Sequence, residues 1–136
     1  SKKHKLAFVA NRVSNTVSVI DTTQRKLITN ISVGEGPTGL ALDSSEDRLF
    51  VANAKDNTIT AFSITQAFKK FDKIETVSLP LDVEFPGCLV LTADLNHMLV
   101  TSAASDTVGF LNLETLKFDK QVQVGQATME AVCSFK

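Results

Sequence analysis

The side chains best suited to chemistry in this chain are few and scattered. His4 and His97 are its only histidines, and Cys88 and Cys133 its only cysteines. A zinc site draws about four ligands from closely spaced motifs, and haem needs an axial ligand within a recognisable pattern. Neither cysteine has a CxxC, a CxxCH or a histidine nearby; His4 stands in a charged N-terminus and His97 in a turn. No metal or cofactor site is expected from them. The chain also lacks a GxSxG elbow, a P-loop, a GxGxxG turn and an EF-hand loop. Gly34, Glu35, Gly36 and Pro37 form a glycine cluster, but it leads into a strand pattern and so lacks the helix N-terminus that draws anions to such loops.

Composition narrows the partners. The 136 residues are 43% hydrophobic and 21% charged, the balance of a globular domain with one core. A net charge of −1 with interspersed signs gives no reason to expect nucleic acid or an anionic membrane surface as a partner. Apolar runs fall short of the ~20 residues of a membrane span. The basic start, Ser1 to Lys5, reads as a solvated terminus and lacks the apolar core of a signal peptide.

A repeat must position whatever these side chains do. Phe8, Val9, Ala10, Asn11 with Asn15, Thr16, Val17 returns 42 positions later as Phe50, Val51, Ala52, Asn53 with Asn57, Thr58, Ile59. A third copy, Leu99, Val100, Thr101, Ser102 with Asp106, Thr107, Val108, follows at an offset of 49 from Val51 to Val100. In the second copy, strands are predicted at Pro37 to Leu42, Leu49 to Ala52, Thr58 to Ile64 and Ile74 to Leu79. Four strands per 42 to 49 residues is the arithmetic of a propeller blade. The predicted fold is therefore all-β: a β-propeller of four-stranded antiparallel blades, three of them in this chain.

Face patterning agrees. Leu49 and Val51 alternate with Phe50 and Ala52, apolar on both sides, as in a sheet covered on both faces. The outer strand of the first copy sets Leu27, Thr29, Ile31 and Val33 against Ile28, Asn30 and Ser32, closer to simple alternation. Asn11, Asn15, Asn53, Asn57 and Asp106 bound turns, where Asx side chains bond the backbone. Cys88 aligns with Gly39, and Cys133 with Leu42 and Leu91, so the cysteines point to opposite faces and are expected free and buried. Glu130 also aligns with Gly39 and Cys88; it would line a channel or an interface, although an exposed place on a frayed final strand is the simpler reading.

VANRVSNTVSVID from Val9 and VGEGPTGLALDSSEDRLFVAN from Val33 resemble the YVTN family of β-propeller repeats, over essentially the whole chain. Phe8 and Phe50 stand where that family has tyrosine, and the third copy is degraded. Extra residues fall around Gln66 to Phe71 and in Leu81 to Phe85; Gln66 to Lys73 is expected as a rim loop or short helical turn with Phe68 and Phe71 anchored.

The repeat units run over about 1–36, 37–85 and 86–127, with a final innermost strand over 128–136. This makes twelve strands, begun at the second strand of a blade and ended one over. Three blades are fewer than the about four to eight of ordinary propellers. The chain is thus expected to be part of a six- or seven-bladed ring, completed by a second copy or by further blades of a longer polypeptide; a head-to-tail filament is the other solution.

Mouth loops at Gly34 to Pro37, Leu81 to Phe85, Gly125 to Ala127, Asn11 to Asn15, Asn53 to Asn57 and Ser102 to Asp106 offer a partner surface of Arg12, Glu35, Asn53, Lys55, Asp82, Glu84 and Glu130. The resemblance implies cell-surface, secreted or periplasmic scaffolds. With no catalytic set and no Trp to stack on a cofactor, the expectation is a noncatalytic module that binds protein or itself. Two alternatives stand: a lactonase- or oxidoreductase-like propeller enzyme completed by further blades or a second chain, and a structural subunit of a surface layer or fibre.

Overall fold

The computed structural model describes residues 1–65, 70–80 and 82–125. These residues form eleven strands in three antiparallel sheets. The first sheet is β1 (Leu6–Asn11), β2 (Thr16–Asp21) and β3 (Lys26–Ser32). The second is β4 (Pro37–Leu42), β5 (Arg48–Asn53), β6 (Thr58–Thr65) and β7 (Lys70–Ser78). The third is β8 (Pro86–Leu91), β9 (His97–Ser102), β10 (Thr107–Asn112) and β11 (Lys117–Gln123). The predicted blades are these sheets, each a chain-order meander. The expected strand over 128–136, with Glu130 and Cys133, lies outside the described residues, as does Phe68. Cys88 is a free thiol, as expected, but it is half-buried rather than buried.

Burial on both faces of the middle sheet holds the stack together. Leu49, Val51, Phe62 and Ile64 pack against Leu6, Val17 and Val19 of the first sheet. Phe50, Ala52, Ile59 and Ala61 pack the other way, against Leu89, Met98, Val100, Leu111 and Leu113. The strict period of two along β5 divides its side chains between two cores. Removing Phe50, fully buried, costs about 3–5 kcal/mol on general grounds.

Three expectations are corrected. Alternation along β3 breaks at a register slip: Val19 pairs Thr29 and Ile20 pairs Leu27, so Ile28 is a bulge. The extra residue reverses parity, so Ile28 joins Ile31 and Val33 on the core while Leu27 is 58% exposed. Ile74 and Asp119 are skipped in the same way in the other sheets. Secondly, Lys70 to Lys73 form neither loop nor helical turn but pair with Thr65 to Phe62 as the start of β7. Phe71 there meets Phe8 edge-on at 6.2 Å. Thirdly, Ser1 to Lys5 is not a solvated tail. The Ser1 hydroxyl donates to Glu46 at 2.5 Å, Lys3 pairs with Asp47 at 2.6 Å, and His4 is buried with Nε2 3.1 Å from Asp47.

The innermost strands β4 and β8 nearly touch. The Thr38 hydroxyl donates to the Pro86 carbonyl at 2.8 Å. A methyl group on Gly39 would lie 2.5 Å from the Gly87 carbonyl oxygen, so backbone approaches backbone where only hydrogen fits.

Candidate functional site

Loops between the second and third strands of each blade meet the loops that join successive blades at one end of the stack. Asparagine makes the joints. Asn15 and Asn57 adopt left-handed backbone, φ 56° and 52°, which this residue tolerates better than most. From there Asn15 Oδ1 accepts from the Gly36 amide at 2.9 Å, and Asn57 Oδ1 from the Phe85 amide at 2.7 Å. Ala54 and Lys55 amides donate to the Gly36 and Glu35 carbonyls at 3.0 and 3.1 Å, and Ala103 and Ala104 repeat the pattern on Phe85 and Glu84 at 3.0 and 3.4 Å. One bonding scheme thus fixes both blade joints.

Within this end lies a cavity of about 590 Å³, lined by Arg12, Thr38, Gly39, Leu40, Phe85, Pro86, Gly87, Cys88 and Ala103. Three blades contribute to it. Arg12 comes from the β1–β2 loop and lies over the Phe85 ring, 5.9 Å from its centroid. Among the described residues Arg12 has no carboxylate within ion-pair distance. Thr38 is committed to Pro86, and the Cys88 amide to Thr101 Oγ1 at 2.9 Å.

The expected partner residues separate on this geometry. Arg12 alone of them lines the cavity. Glu35, Lys55, Asp82 and Glu84 are exposed on the rim beside it. Their backbones make the ties: the Glu35 amide donates to Asp56 at 2.6 Å, and Ser105 and Thr107 hydroxyls donate to the Asp82 carbonyl. Asn53 offers no surface at all. It is fully buried, its amide nitrogen held by Thr58 and Thr60 at 3.0 and 2.9 Å. Glu130 lies outside the described residues. Phe85 and Cys88 were not singled out as site residues by the sequence reading; the available signal was Phe85 falling 49 positions after Gly36, a large residue at a glycine place.

A larger cleft, about 690 Å³, opens at the opposite end between Arg48, Leu95, Asn96, His97, Asn112, Leu113 and Glu114. Its polar groups hold turns. Arg48 pairs with buried Asp43 at 2.9 Å and donates to the Leu113 carbonyl at 2.5 Å. His97, at the repeat place of Arg48, is held by Asp119 at 3.0 Å and Asp94 at 3.3 Å. The hydrogen bond to Asp119, then that to Asp94, raises the His97 pKa above its ordinary value; the His97 bond in turn lowers Asp119, whereas Asp94 is lowered first by the Thr92 hydroxyl and the Asn96 amide and only then by His97. With its Arg48 and His97 side chains so engaged, this cleft is the weaker candidate despite its volume.

Residues 1–91 match the model of the family described as lactonase, 7-bladed beta-propeller. The chain belongs to this family. All the lining of the 590 Å³ cavity except Ala103 falls within the matched residues. Among solved structures, the lactonase-family chain is similar to the periplasmic gluconolactonase PpgL of Pseudomonas aeruginosa, with 18% identity and a TM-score of 0.79 over 93% of this chain and 38% of that one. A candidate 6-phosphogluconolactonase from Bacteroides fragilis matches with 17% identity and TM-score 0.75 over 95% and 38%. Kuenenia stuttgartiensis hydrazine synthase matches with 14% identity and TM-score 0.79 over 90% and 33%, so these likenesses establish the fold rather than one chemistry. No curated protein matches by sequence. The chain spans about a third to two fifths of these three structures.

The family match corrects the expectation of a noncatalytic module and points to an enzyme. That expectation rested on missing local motifs. In a propeller, however, side chains from several blades converge on the axis, so three blades of a seven-bladed ring need not carry a complete catalytic set.

Proposed function

We propose that this chain is three successive blades of a seven-bladed propeller that hydrolyses a sugar lactone in the cavity beside β4 and β8. The observation that carries the reading is the lactonase family match over the residues that build that cavity. In the reaction, water oxygen bonds to the acyl carbon, the ring C–O bond breaks, and a hydroxy acid and its proton result. The described lining supplies Arg12 for binding and mostly apolar walls. It contains neither histidine nor carboxylate among the described residues, so a general base is assigned to the rest of the ring.

Seven blades also bear on partners. Two copies of three blades make six, so further blades of one longer polypeptide suit the family better than a paired copy. The YVTN-like spelling of the repeats is, on this reading, a local sequence variant of the lactonase blade. The periplasmic location named for PpgL supports an envelope setting. The function is tested with the full-length protein by following acid release from δ-gluconolactone, which a lactonase accelerates and a scaffold does not.

A further inference from the structure

We propose that the groove between the first and second blades binds an extended, acidic peptide segment of another protein. This groove, about 550 Å³, is lined by Ser32, Val33 and Gly34 on one side and Asp56, Thr58, Thr60, Lys73 and Thr76 on the other. It shares no lining residue with the cavity beside β4 and β8, and the proposal is independent of the lactonase reading. What fits the groove is seen at the next blade joint, where the chain fills the matching place with its own backbone. Each joint begins with an amide bonded to an asparagine carbonyl, Val33 to Asn15 and Leu79 to Asn57, and ends at the amide held by the same asparagine's side chain, Gly36 and Phe85. That is three steps along the chain in the first joint and six in the second. The longer joint lies on β10: Ser105 and Thr107 hydroxyls donate to the Asp82 carbonyl, and buried Val83 lies 3.5 Å from where a methyl on Gly109 would stand. Ser105, Thr107 and Gly109 follow Asp56, Thr58 and Thr60 by 49 positions. The shorter first joint leaves the equivalent place on β6 as the groove.

The groove's side chains suit a peptide, with a different residue at the place of Val83. Asn53 Nδ2 donates to Thr58 Oγ1 at 3.0 Å and Thr60 Oγ1 at 2.9 Å, so both hydroxyl protons must point elsewhere. In the first blade the same relay ends on an acceptor, from Asn11 to Ser18 and from Ser18 to Asn30 Oδ1 at 2.7 Å. In the second, Thr60 meets only another hydroxyl, Thr76 at 3.5 Å, and Thr58 has no acceptor among the described residues. A peptide carbonyl would serve Thr58 as the Asp82 carbonyl serves Thr107. Asp56 holds the Glu35 amide through Oδ2 at 2.6 Å, which leaves Oδ1 for a peptide N–H. Phe118 opposes Leu111 as Lys73 opposes Phe62, so Lys73 holds the place of Phe118. Where the second joint packs Val83 against Gly109, beside Phe118, the groove therefore offers Thr60, Thr76 and Lys73, and Lys73 belongs to none of the ion pairs among the described residues. A carboxylate side chain suits those donors. Stacked repeats contact only their neighbours, and both blades bordering the groove are already present, so the segment is assigned to a partner protein.

The test is fluorescence anisotropy with the full-length protein and two capped, labelled peptides: residues 79–85 of this chain, and the same peptide carrying Val83→Glu. The glutamate peptide is expected to bind about tenfold tighter, a charge-assisted hydrogen bond's worth. Lys73→Gln should cut that ratio to about twofold, whereas Lys55→Gln, a cation outside the lining, should leave it unchanged. Thr76→Phe puts a ring into the groove and should abolish binding of both peptides; Thr76 and Lys73 are exposed, so melts of their variants should match the wild type. Thr58→Val should weaken both peptides about fivefold, one hydrogen bond's worth, at an unchanged ratio. No binding of either peptide to the wild type would overturn the proposal, whether or not the rest of the chain fills the groove. Binding that survives both Thr76→Phe and Thr58→Val, or equal affinity for the two peptides, would overturn it as well.

Discussion

Replacing Gly39 by alanine tests the joint on which both the ring and the cavity depend. The new methyl would stand 2.5 Å from the Gly87 carbonyl oxygen and 3.3 Å from Cys88 Cα and the Leu89 nitrogen. These are backbone atoms of β8, so no rotamer can yield. Reaching ordinary contact needs the two strands to part by about 1 Å, which would stretch the 2.8 Å bond from Thr38 to Pro86 beyond hydrogen-bonding range. Overpacking of this kind costs about 1–3 kcal/mol, and the lost bond about 1 kcal/mol. Alanine's lower chain entropy in the unfolded state returns about 0.5–1 kcal/mol. The expected net loss is about 1–3.5 kcal/mol, read as a lower urea midpoint at unchanged m-value. Gly125→Ala is the control, because among the described residues nothing lies within 4 Å of its added carbon, and it should move stability by less than about 0.5 kcal/mol. Gly109→Ala should fall between, since it meets the Phe118 ring at 2.8 Å, a side chain that can turn. Equal stability of the Gly39 and Gly125 variants would refute the claim that β4 and β8 are in backbone contact.

Asn57→Ala removes the bond to Phe85 and leaves an ordinary residue in left-handed backbone. A loss of about 2 kcal/mol is expected, against about 1 kcal/mol for Asn57→Gly, which relieves the backbone alone; urea melts separating the two by less than about 0.3 kcal/mol would contradict the strain argument. His97→Gln should show a pH-dependent penalty. The raised His97 pKa gives stability that is full below about 6.5 and lost as pH climbs through the folded value. The Asp119 pKa, lowered chiefly by the His97 bond, gives stability present above about 3.9 and lost as pH falls through its folded value. The Tm gap between wild type and variant is therefore expected to be larger at pH 5.5 than at pH 8.5, and a gap independent of pH would remove the ion pair from the account.

Much of the scaffold is legible because each blade repeats two periods at once. Pro37–Leu42 was predicted at the bounds the strand has, and the two-sided apolar pattern of Leu49 to Ala52 identified a sheet buried on both faces. Bulges were invisible, since Ile28, Ile74 and Asp119 leave the apolar count unchanged while reversing parity. The role of Asn15 and Asn57 as turn-formers was readable from residue type, but not the reach of their side chains to the next blade. The site was harder still. Its lining joins Arg12 to Phe85, 73 positions apart, through a ring geometry that no local motif encodes. His97 shows the same limit: Asp119, its nearer partner, comes from the bulge in β11, and only the fold places it 3.0 Å away.

The account rests most heavily on a lactonase built from these blades. Acid release from δ-gluconolactone by the full-length protein, followed with a pH indicator at mildly acidic pH where spontaneous opening is slow, is the most direct measurement. The account predicts a saturable rate proportional to enzyme and above the uncatalysed reaction. A folded protein whose rate matches the buffer blank for that lactone and for its anionic relatives would contradict it.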